Sequence, residues 1–147
     1  MSVTAYWFGK SMLSAFNKEI DFAADAIYIS LHTSTFAPNQ DTMDYQNDLT
    51  NELGATGGYT TGGKLLATCA VAYDAGTNVF NIDATVDPTW TSATFTAHYA
   101  VVYDSTPGTA ATNPLICYID FGADVSVTNG TFTIQFAAGG IAKITVS

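Results

Sequence analysis

After Ala26 the apolar residues of this chain recur at every second position, run after run, and that alternation limits the fold more than any other feature. A period of two belongs to a strand with one buried face. Ile27, Ile29 and Leu31 point one way, and Tyr28, Ser30 and His32 point the other. Leu65, Ala67, Cys69, Val71 and Tyr73 share a face, as do Phe80, Ile82, Ala84 and Val86 beyond the short connection Asp74–Asn78. In Thr94–Asp104 the residues Phe95, Ala97, Tyr99, Val101 and Tyr103 fall in phase, with Ala100 and Val102 filling the other side. Leu115–Phe121 repeats the pattern. Val125–Thr128 and Thr131–Phe136 flank Asn129-Gly130, which predicts a two-residue hairpin turn with both central φ angles positive. Gly139-Gly140 turns the chain into Ile141–Val146. Seven or eight such strands predict an all-β fold, an antiparallel β-sandwich or jelly-roll-like body. The 147 residues (1–147) suit a single domain large enough to bury a core without a covalent staple.

Two segments depart from period two. Residues 7–20 predict one short N-terminal helix, with Leu13, Phe16 and Ile20 at helical spacing, Met12 beside them, and that stripe turned inward. Residues 33–63 have no sustained period and are rich in Asn, Asp, Gly and Thr. An irregular stretch this long inside a domain is usually functional. Tyr45, Leu49, Leu53 and Tyr59 are its candidate anchors, and Asp48–Leu53 has the makings of a short helical turn. The expectation is an ordered Gly/Tyr-rich docking loop whose removal over residues 40–60 leaves the body folded. Tyr6, Trp7 and Phe8 form a candidate second anchor, since aromatic rings bury area at interfaces.

Charge narrows the partners. Four lysines stand against 13 acidic residues, with no arginine, for a net charge of −9. A chain this poor in cations cannot displace the counterions of a phosphate backbone, which argues against nucleic acid, and an anionic membrane surface repels it. No apolar run reaches the roughly 20 residues that cross a bilayer. Met1–Trp7 lacks the basic segment and apolar core of a secretory signal, so synthesis in a cytoplasm is expected. The acidic surface suits docking onto a basic protein.

Chemistry-bearing motifs are weak. Cys69 and Cys117 sit in strand-like runs without metal-site spacing and read as buried free thiols. His32 and His98, the two histidines, lack a third ligand at motif spacing, and His98 reads as a solvated sheet residue. Asp41, Asp44 and Asp48 form an oxygen-rich stretch that could take a hard cation, yet the spacing misses a calcium loop and aspartates in such stretches more often cap turns. Gly54–Lys64 looks like a phosphate loop but has Leu65 after the lysine instead of Ser or Thr. Trp90, just after Pro88, reads as a plug at a sandwich end. The expectation is no catalytic residue, no metal and no cofactor.

One resemblance covers most of the chain, roughly residues 10–136. It rests on Asn17-Lys18-Glu19-Ile20-Asp21-Phe22, Asp25–Thr33, Asp48-Leu49-Thr50-Asn51-Glu52-Leu53, Tyr99–Asp104 and Tyr118–Gly122, and above all on Gly57-Gly58-Tyr59-Thr60-Thr61-Gly62-Gly63-Lys64. In these the chain resembles a family of small virion proteins of tailed bacteriophages, often encoded among capsid genes, some of them cement or decoration proteins of the head shell. Its usual Ser-Gly-Thr-Gly-Tyr is Gly54-Ala55-Thr56-Gly57-Gly58-Tyr59 here. The resemblance implies a non-enzymatic structural role on the outer head surface. The implied partners are the major capsid protein and neighbouring copies of the chain, with symmetry sites on a head suiting a trimer. The alternative is a tail or fibre component that binds host-surface glycan.

Overall fold

The computed structural model describes residues 4–147. In chain order the elements are β1 (Thr4–Trp7), α1 (Gly9–Phe16), β2 (Ile27–His32), β3 (Lys64–Leu65), β4 (Cys69–Asp74), β5 (Val79–Ala84), β6 (Thr89–Asp104), β7 (Leu115–Thr133) and β8 (Ala142–Thr145). They form a five-stranded sheet in the order β1-β7-β6-β2-β3 and a three-stranded sheet β4-β5-β8. Every pairing is antiparallel, so the body is the all-β, sandwich-like one that the alternation predicts.

The main core lies between the sheets. Ile27, Ile29 and Leu31 of β2 meet Ala100 and Val102 of β6 and Ile82 and Ala84 of β5 there. A second core covers the other face of the large sheet, where Val101, Tyr103, Leu115 and Tyr118 pack with Phe8 and Phe36. The large sheet is therefore buried on both faces along its middle strands, which explains why β6 ends in five consecutive buried residues, Ala100–Asp104.

The face assignment along β6 needs a correction. Phe95 and Ala97 belong to the main core, but Tyr99, Val101 and Tyr103 belong to the second. Between the pairs Ala97↔Val125 and Tyr99↔Asp120, His98 alone opposes residues 121–124 of β7. An unequal residue count across a ladder resets which side chains face which way. Asn129-Gly130 is also a correction. It is not a hairpin turn but lies inside the single strand β7, opposite an irregularity in β6. Asn129 and Ser92 both take positive φ, 45° and 51°, and the Asn129 N–H donates to the Thr94 hydroxyl at 2.9 Å. A left-handed Asn, which a tight turn needs, serves a compensated bulge equally well.

The helix is shorter than 7–20 and is turned the other way. Trp7 belongs to β1, paired with Cys117, and the helix stops at Phe16. Lys18 takes the left-handed conformation (φ 62°), while the Glu19 N–H reaches the Ser14 carbonyl and the Lys18 N–H the Ala15 carbonyl. That is a Schellman ending. The buried residues of α1 are Ser11 and Ser14, the former donating to the Phe8 carbonyl at 2.7 Å. Leu13 and Phe16 face outward, 64% and 87% exposed.

The run Leu65–Tyr73 is likewise broken. Leu66 still donates its N–H to Ile27, then Thr68 takes φ 55° and the chain crosses to the small sheet. Leu65, Val71 and Tyr73 are consequently exposed instead of buried. Cys69 and Cys117 are free thiols, the second fully buried, and burial pushes them up to about 11 and about 12.

Candidate functional site

The segment from Thr33 to Gly63 is folded down as a wall of the body. Its ends and middle close the outer edge of β2. The Leu53 N–H donates to the Leu31 carbonyl at 2.9 Å, the Thr33 N–H to the Asn51 carbonyl at 3.0 Å, and Lys64 and Leu65 pair with Ile29 and Tyr28. Between these, the Leu31 N–H has no backbone partner on the loop and donates to the Tyr59 hydroxyl at 3.0 Å. That hydroxyl in turn donates to Glu52 Oε1 at 2.6 Å, which also accepts the Gly62 N–H at 2.6 Å. Tyr59 is buried against Trp90 and Phe95, and burial followed by the Glu52 bond drives its phenol far above the usual range.

The glycine pairs make this approach possible. At Gly57 (φ 58°) a Cβ would run into the Thr94 carbonyl, and at Gly63 (φ 81°) into that of Ile29. Only glycine allows both the left-handed turn and the contact. The Gly57 carbonyl accepts the Thr94 N–H at 2.8 Å.

The candidate anchors fall into three groups. Phe8 and Tyr59 are 0% and 3% exposed, so as interface residues they are a correction: the chain's own cores consume both rings. Trp7 and Leu53 are half-buried on the main core. Trp7 is a staple between the sheets, its Nε1–H donating to the Lys143 carbonyl of β8 at 3.0 Å. Tyr6, Tyr45 and Leu49 keep outward surface, Tyr6 with its ring stacked on Tyr118 at 5.1 Å. Around Tyr45 and Leu49 the loop presents Asp41, Asp44 and Asp48. A one-turn 3₁₀ helix at Gln46–Asp48 sits two residues before the stretch the sequence suggests for it, and Asp48 Oδ2 caps it by accepting the Asp44 and Tyr45 N–H groups at 2.8 and 3.3 Å. Nearby Glu19 and Asp44 hold the Tyr45 phenol above its ordinary value, so it stays a neutral donor.

The histidines are both engaged. His32 is buried, Nδ1 donating to the Thr50 carbonyl at 2.8 Å and Nε2 accepting from Ser30 at 2.9 Å, and burial pulls its pKa down. His98 is only partly solvated, between Asp124 (2.8 Å) and Asp120 (3.6 Å) at the irregularity in β7. Asp104 is buried with Oδ2 unpartnered, and burial, with Asp25 beside it, raises its pKa. Among the described residues no group of three or more His, Cys, Asp or Glu is arranged to hold a metal. Trp90 is 3% exposed, packed in tilted contact with Tyr59 and Phe132, with the Lys64 ammonium 5.4 Å from its ring centre.

One concavity was not visible in the sequence. An apolar cleft of about 1020 Å³ opens where the small sheet fails to cover the large one. Met12, Ala15 and Phe16 of α1 form one wall, and Val71, Tyr73 and Phe80 form the other. Its floor is the main core itself, at Phe22, Ile82 and Ile116. Lys18 and Asp21 are the charged residues on it. Strand alternation puts Val71 and Tyr73 on one face with Cys69, and helical spacing groups Phe16 with Leu13 and Ile20; the signal that could have reversed the helix is the small pair Ser11 and Ser14.

Comparison with known proteins adds no assignment: no protein-family model matches the chain, and neither curated proteins nor solved structures give a significant match.

Proposed function

We propose that this chain is a non-enzymatic cement or decoration protein of a tailed bacteriophage, attached to the outer head shell across neighbouring major capsid subunits. The sequence resemblance centred on Gly57–Lys64 names the class. The observation that carries the reading is the preformed outer face of residues 33–63. Tyr45 and Leu49 lie there among Asp41, Asp44 and Asp48, on a segment already ordered by the Tyr59–Glu52–Leu31 bonds. A face ordered before binding spends no conformational entropy on docking. Tyrosine offers a ring and a hydroxyl to the partner, and the carboxylates suit a basic shell surface. Modest affinity per copy is enough on a lattice, because repeated attachment raises effective concentration.

Cryo-electron microscopy of purified particles tests the reading. Density for this chain on the outer head, with Tyr45 and Leu49 against the shell, supports it. Particles whose outer head surface lacks the chain overturn it.

A further inference from the structure

The inverted helix and the open cleft form one face, which adjoins the Asp41–Asp48 surface through the Lys10–Asp44 pair, and together they describe a knob beside a hole. Phe16 stands 87% exposed at the lip of a cleft whose floor is the protein's own core. We infer that this face is a two-fold interface between copies of the chain, with Phe16 of each copy seated in the cleft of the other.

Charge argues for a second copy. A chain of net charge −9 repels its own kind over most of its surface. The cleft is the exception: its charged residues are one Lys18 and one Asp21, summing to zero. A two-fold axis makes every contact reciprocal. A Lys18–Asp21 pair across such an axis would form twice, and the uncharged balance of the cleft removes the repulsion that the rest of the surface imposes.

The area also suffices. A covered aromatic side chain removes about 150–250 Å² from water. Phe16, with Tyr73, Leu13, Val71 and Val146 (55%, 64%, 48% and 52% exposed), brings two copies to on the order of 1,000 Å², the lower bound for a specific interface. Exposed apolar surface of this extent on an acidic protein marks an interaction site.

Sedimentation and light scattering of the purified full chain, from about 1 to 100 μM, test the inference. The expected result is a monomer–dimer equilibrium that Phe16→Gln weakens by at least about 30-fold, the effect of a central buried anchor. Glutamine keeps the net charge and favours helix, and at an exposed position it leaves the fold intact, which the circular dichroism spectrum verifies. Leu65→Gln, at a half-exposed position on β3 outside the cleft, is expected to leave the dimer unchanged. A wild-type chain monomeric at 100 μM, a trimer, or a dimer indifferent to Phe16→Gln overturns the inference. So does a monomer that carries a bound aliphatic molecule in native mass spectra. The shell reading is untouched by any of these results, because it is read on particles and rests on Tyr45 and Leu49, which Phe16→Gln leaves in place.

Discussion

Replacing Tyr59 by Phe deletes one oxygen and tests whether the 33–63 segment is part of the fold. The ring remains against Trp90 and Phe95, so no cavity term enters. The hydroxyl serves two partners. Its bond to the Glu52 carboxylate is of the charged kind, which contributes about 1.5–3 kcal/mol. Its loss also leaves the Leu31 N–H buried without an acceptor, at about 1–3 kcal/mol. The two losses share a site and do not simply add, so about 3 kcal/mol is expected. For a chain of this size 1 kcal/mol shifts Tm by about 2–4 °C, giving a drop of roughly 6–12 °C. Urea unfolding should show a lower midpoint with an unchanged slope, since the same surface is exposed. Glu52→Gln keeps an acceptor and should cost less. A Tyr59→Phe loss below about 1 kcal/mol would refute the reasoning, because the loop would then be held by something other than this clamp.

Further expectations concern the loop and the buried titrating groups. Deleting residues 40–60 removes Tyr59, Glu52 and Leu49 together, and the shortened chain should lose cooperative thermal unfolding instead of surviving as a folded body. Gly63→Ala forces a Cβ at φ 81° into the Ile29 carbonyl and should cost more than about 2 kcal/mol, whereas Gly122→Ala, at φ 75° with open space, should cost only about 1–2 kcal/mol in urea titrations. His32 has a depressed pKa in the fold, so the unfolded chain binds its proton first; stability from this group is full above about pH 6.5 and falls as pH drops toward the depressed value, a slope that His32→Gln should flatten in pH-dependent unfolding. Asp104 is the opposite case. Its raised pKa gives stability that is full below about pH 3.8 and lost as pH rises through the folded value. Asp104→Asn should therefore raise stability at pH 8, by removing a buried negative charge that sits beside Asp25, with little effect near pH 3.

The alternation in the sequence carries the fold class because a half-buried strand imposes it directly. Ile27, Ile29 and Leu31 face the main core as read, and the Asp74–Asn78 hairpin joins β4 to β5. Period two has no memory of an inserted residue, however. One irregularity at His98 moves Tyr99, Val101 and Tyr103 to the opposite face, and nothing local in Thr94–Asp104 announces it. Asn129-Gly130 reports a positive φ correctly but does not say whether the chain reverses or bulges there. In the loop, the glycine pairs are legible as shaping residues, yet their purpose depends on Thr94 and Ile29, far away in sequence. Leu13 and Phe16 form a stripe that any amphipathic reading buries; a helix of eight residues is too short for its pattern to overrule tertiary contacts that favour Ser11 and Ser14. The cleft follows from two such reversals, so it could be found only in three dimensions.

Hydrogen exchange of the free full-length chain, resolved to single amides, tests most directly that residues 33–63 are a wall of the body already shaped before any partner arrives. The amides of Leu53, Tyr59 and Gly63 should exchange as slowly as that of Leu31, through one common opening. Rapid exchange at those three positions, with Leu31 and the rest of β2 protected, would contradict the account.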